Sequence, residues 1–247
     1  MKQVRFVADH ALHSGTLDGD CVNASGRRWT LAEARLLPPC TPTKIVCVGR
    51  NYVDHVAEMG SAVPAEPMLF FKPPSALLPP DGTIELPPQS ERVEFEGELA
   101  VVIGRRCRRA TRERALDFVC GYTLINDVTA RDLQQTDGQW ARAKGFDTFA
   151  PMGPCIATEL DPAALRLRTR RNGDLMQDCS TSQMVFDVPT LIEYVSAAFT
   201  LEEGDVIATG TPSGVGKLGA GDCVEIEIDE IGILRNRVAH AGRAEPA

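Results

Sequence analysis

Glu96 and Glu98 stand two residues apart in EFEGELAVVIG, residues 94–104. On an extended strand that spacing puts both carboxylates on one face. A lone Glu-x-Glu is most often a solvent face. Here residues 99–103 are apolar at every position, the pattern of a strand covered on both sides. Two acids at the mouth of a covered strand repel each other in a poorly solvated place, and a divalent cation relieves the repulsion. Asp127, at the end of the apolar run GYTLIND, is available as a third hard ligand. Its competing reading is a helix N-cap for the VTARDLQQ that follows. Three carboxylates favour Mg²⁺, Mn²⁺ or Ca²⁺ over zinc, and octahedral Mg²⁺ held this way keeps about three positions for water or substrate oxygens. Such an open site suits Lewis-acid catalysis.

A base is the next requirement. Of the four histidines, His55 alone lies in a segment with helical character, NYVDHVAEMG, with Glu58 three residues on. In a helix the two share a face, and a carboxylate that orients an imidazole makes a general-base unit. Such pairs are also common on plain surfaces. Arg131 and Lys144 offer positive charge. Three carboxylates and one divalent ion leave one negative charge in excess, so an anionic substrate needs cations of this kind nearby. The glycine-rich ATGTPSGVGKLGAGD is not a Walker loop. Thr211 stands where the first glycine belongs, and Leu218 follows Lys217 where Ser or Thr is required. Its small residues could still present backbone N–H groups to a pocket.

These residues need a scaffold, and the 247-residue chain is long enough for one large domain, alone or with a small appendage. Composition is that of a globular protein, 43% hydrophobic and 24% charged. A net charge of −8 argues against a nucleic-acid partner. The sequence has no run near the roughly 20 apolar residues that span a membrane and no signal-peptide core at its start, so no membrane association and a cytoplasmic location are expected. Eight cysteines without a C-x-x-C pair read as buried free thiols.

Strands are predicted over KQVRFVAD, TLDGD and RRWTLAEARLL, then TKIVCVG, MLFFKP, ELAVVIG and CGYTLIND. The proline-rich PPCTP, residues 38–42, marks a boundary. Helices are predicted over 51–60 and over TRERALDFV with Thr111 as N-cap and Glu113 in the first turn, and TARDLQQT begins a helix or turn. Six prolines between 73 and 90 allow only loops and edges there. From residue 153 β character dominates, with an Asn172-Gly173 type I′ hairpin turn. The exception is a helix over PTLIEYVSAAFTLEEGD that puts Leu191, Ile192, Val195 and Phe199 on one face. VEIEIDEIG alternates, so Glu225, Glu227 and Asp229 should face solvent. The fold class is mainly β with a few helices (α+β), without the βαβ rhythm of a parallel sheet.

In order along the chain, CVGRNYVDHVAEMG, MLFFKPPSAL, EFEGELAVVIG, YTLINDVTARDLQ, AKGFDTFAPMGP and ATGTPSGVG resemble the fumarylacetoacetate hydrolase family. They look most like its short, single-domain branch of acylpyruvases and 2-hydroxyhepta-2,4-diene-1,7-dioate isomerases. The resemblance runs from about 44 to 238. It implies a mixed β-sandwich roll over residues 44–240, a small N-terminal β domain over 1–43, a tail from 241 to 247, and a homodimer. It implies one Mg²⁺ or Mn²⁺ per subunit, with Ca²⁺ as an alternative, on Glu96, Glu98 and Asp127. It makes His55 and Glu58 the water-activating dyad and Lys144 the lysine beside the metal. Arg50, Tyr52, Gln134 and Thr211 fall on its substrate-pocket positions, and Arg131 supplies charge for the same substrate.

The implied substrate is a small anionic dioxo or hydroxydienoic acid. In a 2,4-dioxo acid, negative charge would build on the C2 oxygen while water activated by His55 and Glu58 attacks C4 and a pyruvate enolate leaves. Fumarylpyruvate and acetylpyruvate are such acids. The same enolate serves diene-dioate isomerisation and the decarboxylation of oxaloacetate or 5-oxopent-3-ene-1,2,5-tricarboxylate. The presence of a water-activating dyad favours hydrolysis. A non-catalytic carboxylate-binding β module is the reading from another class.

Overall fold

The apolar run behind the paired acids forms strand Gly97–Ile103, buried at all of its positions. A computed structural model describes residues 1–54 and 63–242 of the chain, and this strand lies near the middle of its largest sheet. On one side Gly97–Ile103 pairs antiparallel with Val119–Asn126, which continues to Ala150–Ala157. On the other it pairs with Val206–Ala208, which runs parallel to Ile45–Gly49; Met68–Lys72 closes that edge.

Residues 2–37 supply five strands. Lys2–Ala8 pairs with Ala11–Asp18 and with Arg35–Leu37, and its first residues join Ala150–Ala157. The N-terminal strands therefore extend the large sheet rather than standing apart from it.

A second sheet holds Asp174–Ser180, Arg166–Arg171, Cys223–Ile228, Gly232–His240 and Thr83–Leu86 in that order. It packs across the central strands of the large sheet. Between them Leu99, Val101, Ile103, Leu124, Ile226, Ile228 and Leu234 belong to one apolar core. A small third sheet holds Thr129–Ala130, Val93–Phe95 and Gly216–Lys217 in that order. The architecture is thus a β-sandwich roll with a few helices. Among the described residues no helix is long and apolar enough to cross a membrane.

Local chemistry explains most of these elements. Pro73 and Pro74 stop strand Met68–Lys72, and the proline-rich stretch that follows holds a 3₁₀ turn, Pro74–Ala76, and two short strands, Leu77–Leu78 and Thr83–Leu86. Asn172 and Gly173 both take positive φ, 55° and 89°, and join Arg166–Arg171 to Asp174–Ser180 as a type I′ turn demands. In Cys223–Ile228, Val224, Ile226 and Ile228 are buried while Glu225 and Glu227 face outward and pair with arginines of neighbouring strands.

Three expectations need correction. Residues Arg112–Phe118 form a 3₁₀ helix rather than an α-helix, and the Thr111 side chain makes no capping bond. Glu113, next to the Thr111 hydroxyl and its own backbone N–H, lies below its ordinary pKa. Phe199 does not extend the apolar face of helix Val188–Ala198. The helix ends at the extended Phe199, whose ring leaves the core to meet Phe71 edge-on, 5.1 Å between centroids. All eight cysteines are free, but Cys21, Cys120, Cys179 and Cys223 are only half-buried. The helix predicted over residues 51–60 falls largely outside the described residues.

Candidate metal centre

Glu96 occupies the point where the chain leaves strand Val93–Phe95 of the small sheet and enters Gly97–Ile103 of the large one. The paired acids are therefore not on one continuous strand, as their spacing suggests, but at a change of sheet. Register does the rest. Gly97 pairs with Asn126 and Glu98 with Ile125, so the next residue, Asp127, falls beside Glu96. Backbone bonds fix this corner: Glu96 N–H donates to Asn126 Oδ1 at 2.9 Å and Asp127 N–H to Glu96 O at 2.9 Å. Asp127 caps no helix, since the N-cap of Arg131–Thr136 is Ala130.

The three carboxylates converge. One oxygen from each lies within 4.8 Å of the others, and all three residues are buried. Glu98 accepts the N–H of Gly210 at 2.8 Å and meets no cation among the described residues. Gly210 is required at that point. Its φ is +96°, and a Cβ would sit 2.8 Å from Asn51 Cβ and 3.0 Å from Val48 O. Burial, then the carboxylates of Asp127 and Glu96, push the Glu98 carboxyl well above its ordinary value of 4.5.

Cations surround the other two acids. Lys144 Nζ bridges Glu96 Oε2 at 2.8 Å and Asp127 Oδ2 at 2.7 Å. Burial opposes the Lys144 charge, but Asp127 and Glu96 outweigh it and hold the ammonium above its usual pKa. Lys72, wholly buried, reaches Asp127 Oδ1 at 2.6 Å and Val128 O at 3.0 Å. Arg131 spreads its fork over three partners: Nε to Glu94 Oε2 at 2.7 Å, Nη1 to Gln134 Oε1 at 2.6 Å, and Nη2 to Glu96.

With every group ionised, four buried carboxylates (Glu94, Glu96, Glu98, Asp127) meet three buried cations (Lys72, Lys144, Arg131), one negative charge in excess. A divalent ion reverses the sign to one positive charge. Hard oxygen donors, with no thiolate or imidazole in the described cluster, fit Mg²⁺, Mn²⁺ or Ca²⁺. A titration of metal-free protein with Mn²⁺ should show affinity rising with pH, because the ion displaces the proton held by Glu98. Calorimetry in buffers of different ionisation enthalpy would report that proton; a buffer-independent enthalpy would refute its release.

The cluster opens into a cavity of about 290 Å³, walled by the three acids with Arg50, Arg131, Gln134, Lys144 and Thr211, and by Phe70 and Trp140. Arg50 holds a left-handed backbone, φ 58°, unusual for a non-glycine and frequent at functional sites. Tyr52 is not part of the described wall. It is buried and bridged to Met184, and its hydroxyl has no hydrogen-bond partner among the described residues. His55 and Glu58 lie outside the described residues. Sequence reasoning missed Lys72 and Glu94. Each had a signal: a lysine ending an apolar strand before two prolines, and a third acid in the same alternating run as Glu96 and Glu98.

Similarity to known proteins agrees with this geometry. Residues 44–239 match the fumarylacetoacetate (FAA) hydrolase C-terminal family. Oxaloacetate tautomerase YisK of Bacillus subtilis (strain 168) is 44% identical over 225 residues, 85% of this chain and 75% of that protein. The crystal structure of 5-carboxymethyl-2-hydroxymuconate delta-isomerase from Mycobacterium smegmatis is similar at a TM-score of 0.92 and 45% identity, covering 98% of this chain and 100% of that one. Maleylpyruvate hydrolase from Sphingobium sp. SYK-6, solved in complex with manganese (II) ion and pyruvate, is similar at a TM-score of 0.85 and 32% identity, with the same coverage. On its sequence match and its fold alike, the chain belongs to the fumarylacetoacetate hydrolase family.

Proposed function

We propose that this protein is a divalent-metal-dependent hydrolase that cleaves the C–C bond of a small 2,4-dioxo acid through a pyruvate enolate. The observation that carries this reading is the charge arrangement of the cavity: three convergent carboxylates backed by Lys72, Lys144 and Arg131. A divalent ion held by Glu96, Glu98 and Asp127 supplies Lewis-acid stabilisation to the oxygen on which enolate charge develops.

The chain's own residues do the remainder. Lys144, kept protonated by its two carboxylates, serves as a cation and hydrogen-bond donor rather than as a base. Arg131 has five N–H groups, of which Glu94, Glu96 and Gln134 take three. No described residue takes the remaining two, which would serve a substrate carboxylate. Phe70 and Trp140, edge-on at 5.3 Å, narrow the wall and limit water. His55, oriented by Glu58, is assigned the proton of the attacking water.

A second reading, isomerisation or keto–enol tautomerisation through the same enolate, is favoured by one observation. The isomerase and the tautomerase are 45% and 44% identical to this chain, the hydrolase 32%.

The deciding experiment reloads metal-free protein with Mg²⁺ or Mn²⁺ and offers acetylpyruvate, fumarylpyruvate and oxaloacetate side by side, following enol absorbance and identifying products. Metal-dependent release of pyruvate and a carboxylic acid from a dioxo acid is the expected result. Interconversion of oxaloacetate tautomers with the dioxo acids intact would move the assignment to tautomerase, and carbon dioxide to decarboxylase. Tight metal binding without turnover would leave a binding module. His55→Ala should abolish hydrolysis and spare enolate chemistry that needs no water; equal loss of both would refute that division of roles.

A further inference from the structure

Gln177 lies on strand Asp174–Ser180 of the five-stranded sheet, far in sequence from both segments it touches, and is 1% exposed. Its Oε1 accepts the N–H of Gly97 at 3.1 Å. Its Nε2 donates to Thr211 Oγ1 and to Pro212 O, each at 2.8 Å. Thr211 Oγ1 in turn donates to the carbonyl of Gly97 at 2.8 Å. Both backbone polar groups of the residue between Glu96 and Glu98 are thus tied to one amide, directly or through one hydroxyl. Gly97 permits this approach. A Cβ there would stand 2.2 Å from Thr169 Oγ1 and 3.1 Å from Gln177 Oε1.

We propose that Gln177, with Thr211 as its relay, is a positioning residue that fixes the relative placement of the Glu96 and Glu98 carboxylates and so sets the affinity of the site for a divalent cation. The inference rests on the metal-centre reading above. Its physical basis is that Glu96 sits at a change of sheet: the bonds to Asn126 and Asp127 hold its backbone on one side, while on the other side the intervening Gly97 is held by Gln177 and Thr211. A ligand pair so placed needs an outer hydrogen bond to hold it, and loss of such partners elsewhere weakens metal binding by about 10–100-fold.

The test is calorimetric titration of the full-length, metal-free protein with Mn²⁺. Gln177→Met keeps the volume of the side chain and removes its hydrogen bonds; it should weaken Mn²⁺ binding about 10–100-fold. Thr169→Val, beside the same glycine but outside the hydrogen-bond ring, should bind as the parent does, since its buried hydroxyl has no partner among the described residues. Should Gln177→Met fail to fold, Gln177→Asn keeps the amide one methylene short and should give a smaller loss. A lowered melting temperature with unchanged Mn²⁺ affinity in the folded variant would assign a merely structural role and overturn the proposal. An equal loss in Thr169→Val would also overturn it. If the parent protein binds no Mn²⁺, the metal-centre reading falls first; if the parent binds and Gln177→Met binds equally, only this proposal falls.

Discussion

Glu98→Gln should cost the enzyme about 10²–10³-fold in kcat, the scale for removing a charge-stabilising group at the reacting centre, while raising the melting temperature of the metal-free protein. The two effects have one cause. Glu98 is buried and repelled by Asp127 and Glu96, and the nearby Lys144 charge and the Gly210 N–H offset only part of that cost. Glutamine keeps an acceptor for that N–H and removes the charge. Function and stability therefore pull in opposite directions at this position, as at other strained sites.

The pH dependence gives the sign an independent check. A carboxyl whose folded pKa is raised costs nothing below its ordinary value of 4.5, where folded and unfolded forms are both protonated. Above it the unfolded chain ionises first, so native stability falls with rising pH until the folded pKa is passed. The advantage of Glu98→Gln over the parent should accordingly widen from about pH 4.5 upward. Thermal unfolding of both proteins in the presence of a chelator measures this. A variant less stable than the parent at neutral pH would show that Glu98 is better compensated than its contacts indicate.

Lys72→Met should be the most destabilising single change at the site. Methionine matches the length of the lysine stem but leaves Asp127 Oδ1 and the Val128 carbonyl without their donor, in a place where both partners are no more than 1% exposed. Removing one member of a buried pair costs about 3–5 kcal/mol. Lys144 still serves the other oxygen of Asp127, so the lower figure applies. For a chain of this size that corresponds to a melting temperature lower by roughly 6–12 °C. Added Mn²⁺ should raise the melting temperature of the variant more than that of the parent, because the ion replaces the missing positive charge. Equal stability of Lys72→Met and parent would mean that Lys144 alone neutralises Asp127.

Much of this site was legible before any fold was known. Residues 99–103 marked a strand covered on both faces because a short, β-branched apolar run with no polar face fits a buried strand, and all five are buried. Asn172-Gly173 fixed a hairpin because few residue pairs adopt left-handed backbone twice in a row. The acids Glu96, Glu98 and Asp127 could be paired with a hard cation from residue type and strand ends alone. These are local properties, set by side-chain size, backbone sterics and charge.

Other features were decided by tertiary pairing. The Glu-x-Glu spacing suggested one continuous strand, yet the chain changes sheets at Glu96, and it is the Gly97–Asn126 register that delivers Asp127. Lys72 read as the last residue of a strand stopped by two prolines; only the pairing of Met68–Lys72 with Ile45–Gly49 brings its ammonium to Asp127. Gln177 carried no signal, because an amide in a hairpin is ordinary until the second sheet lays it against Gly97 and Thr211. Phe199 obeyed helical spacing and still left the core, since the helix ended one residue earlier than the spacing required. By itself the sequence determined which apolar runs must be covered and that Glu96, Glu98 and Asp127 stand at their ends. The tertiary structure alone decided which buried charges meet, because that depends on register and sheet packing between segments tens of residues apart, and no local pattern encodes such distances.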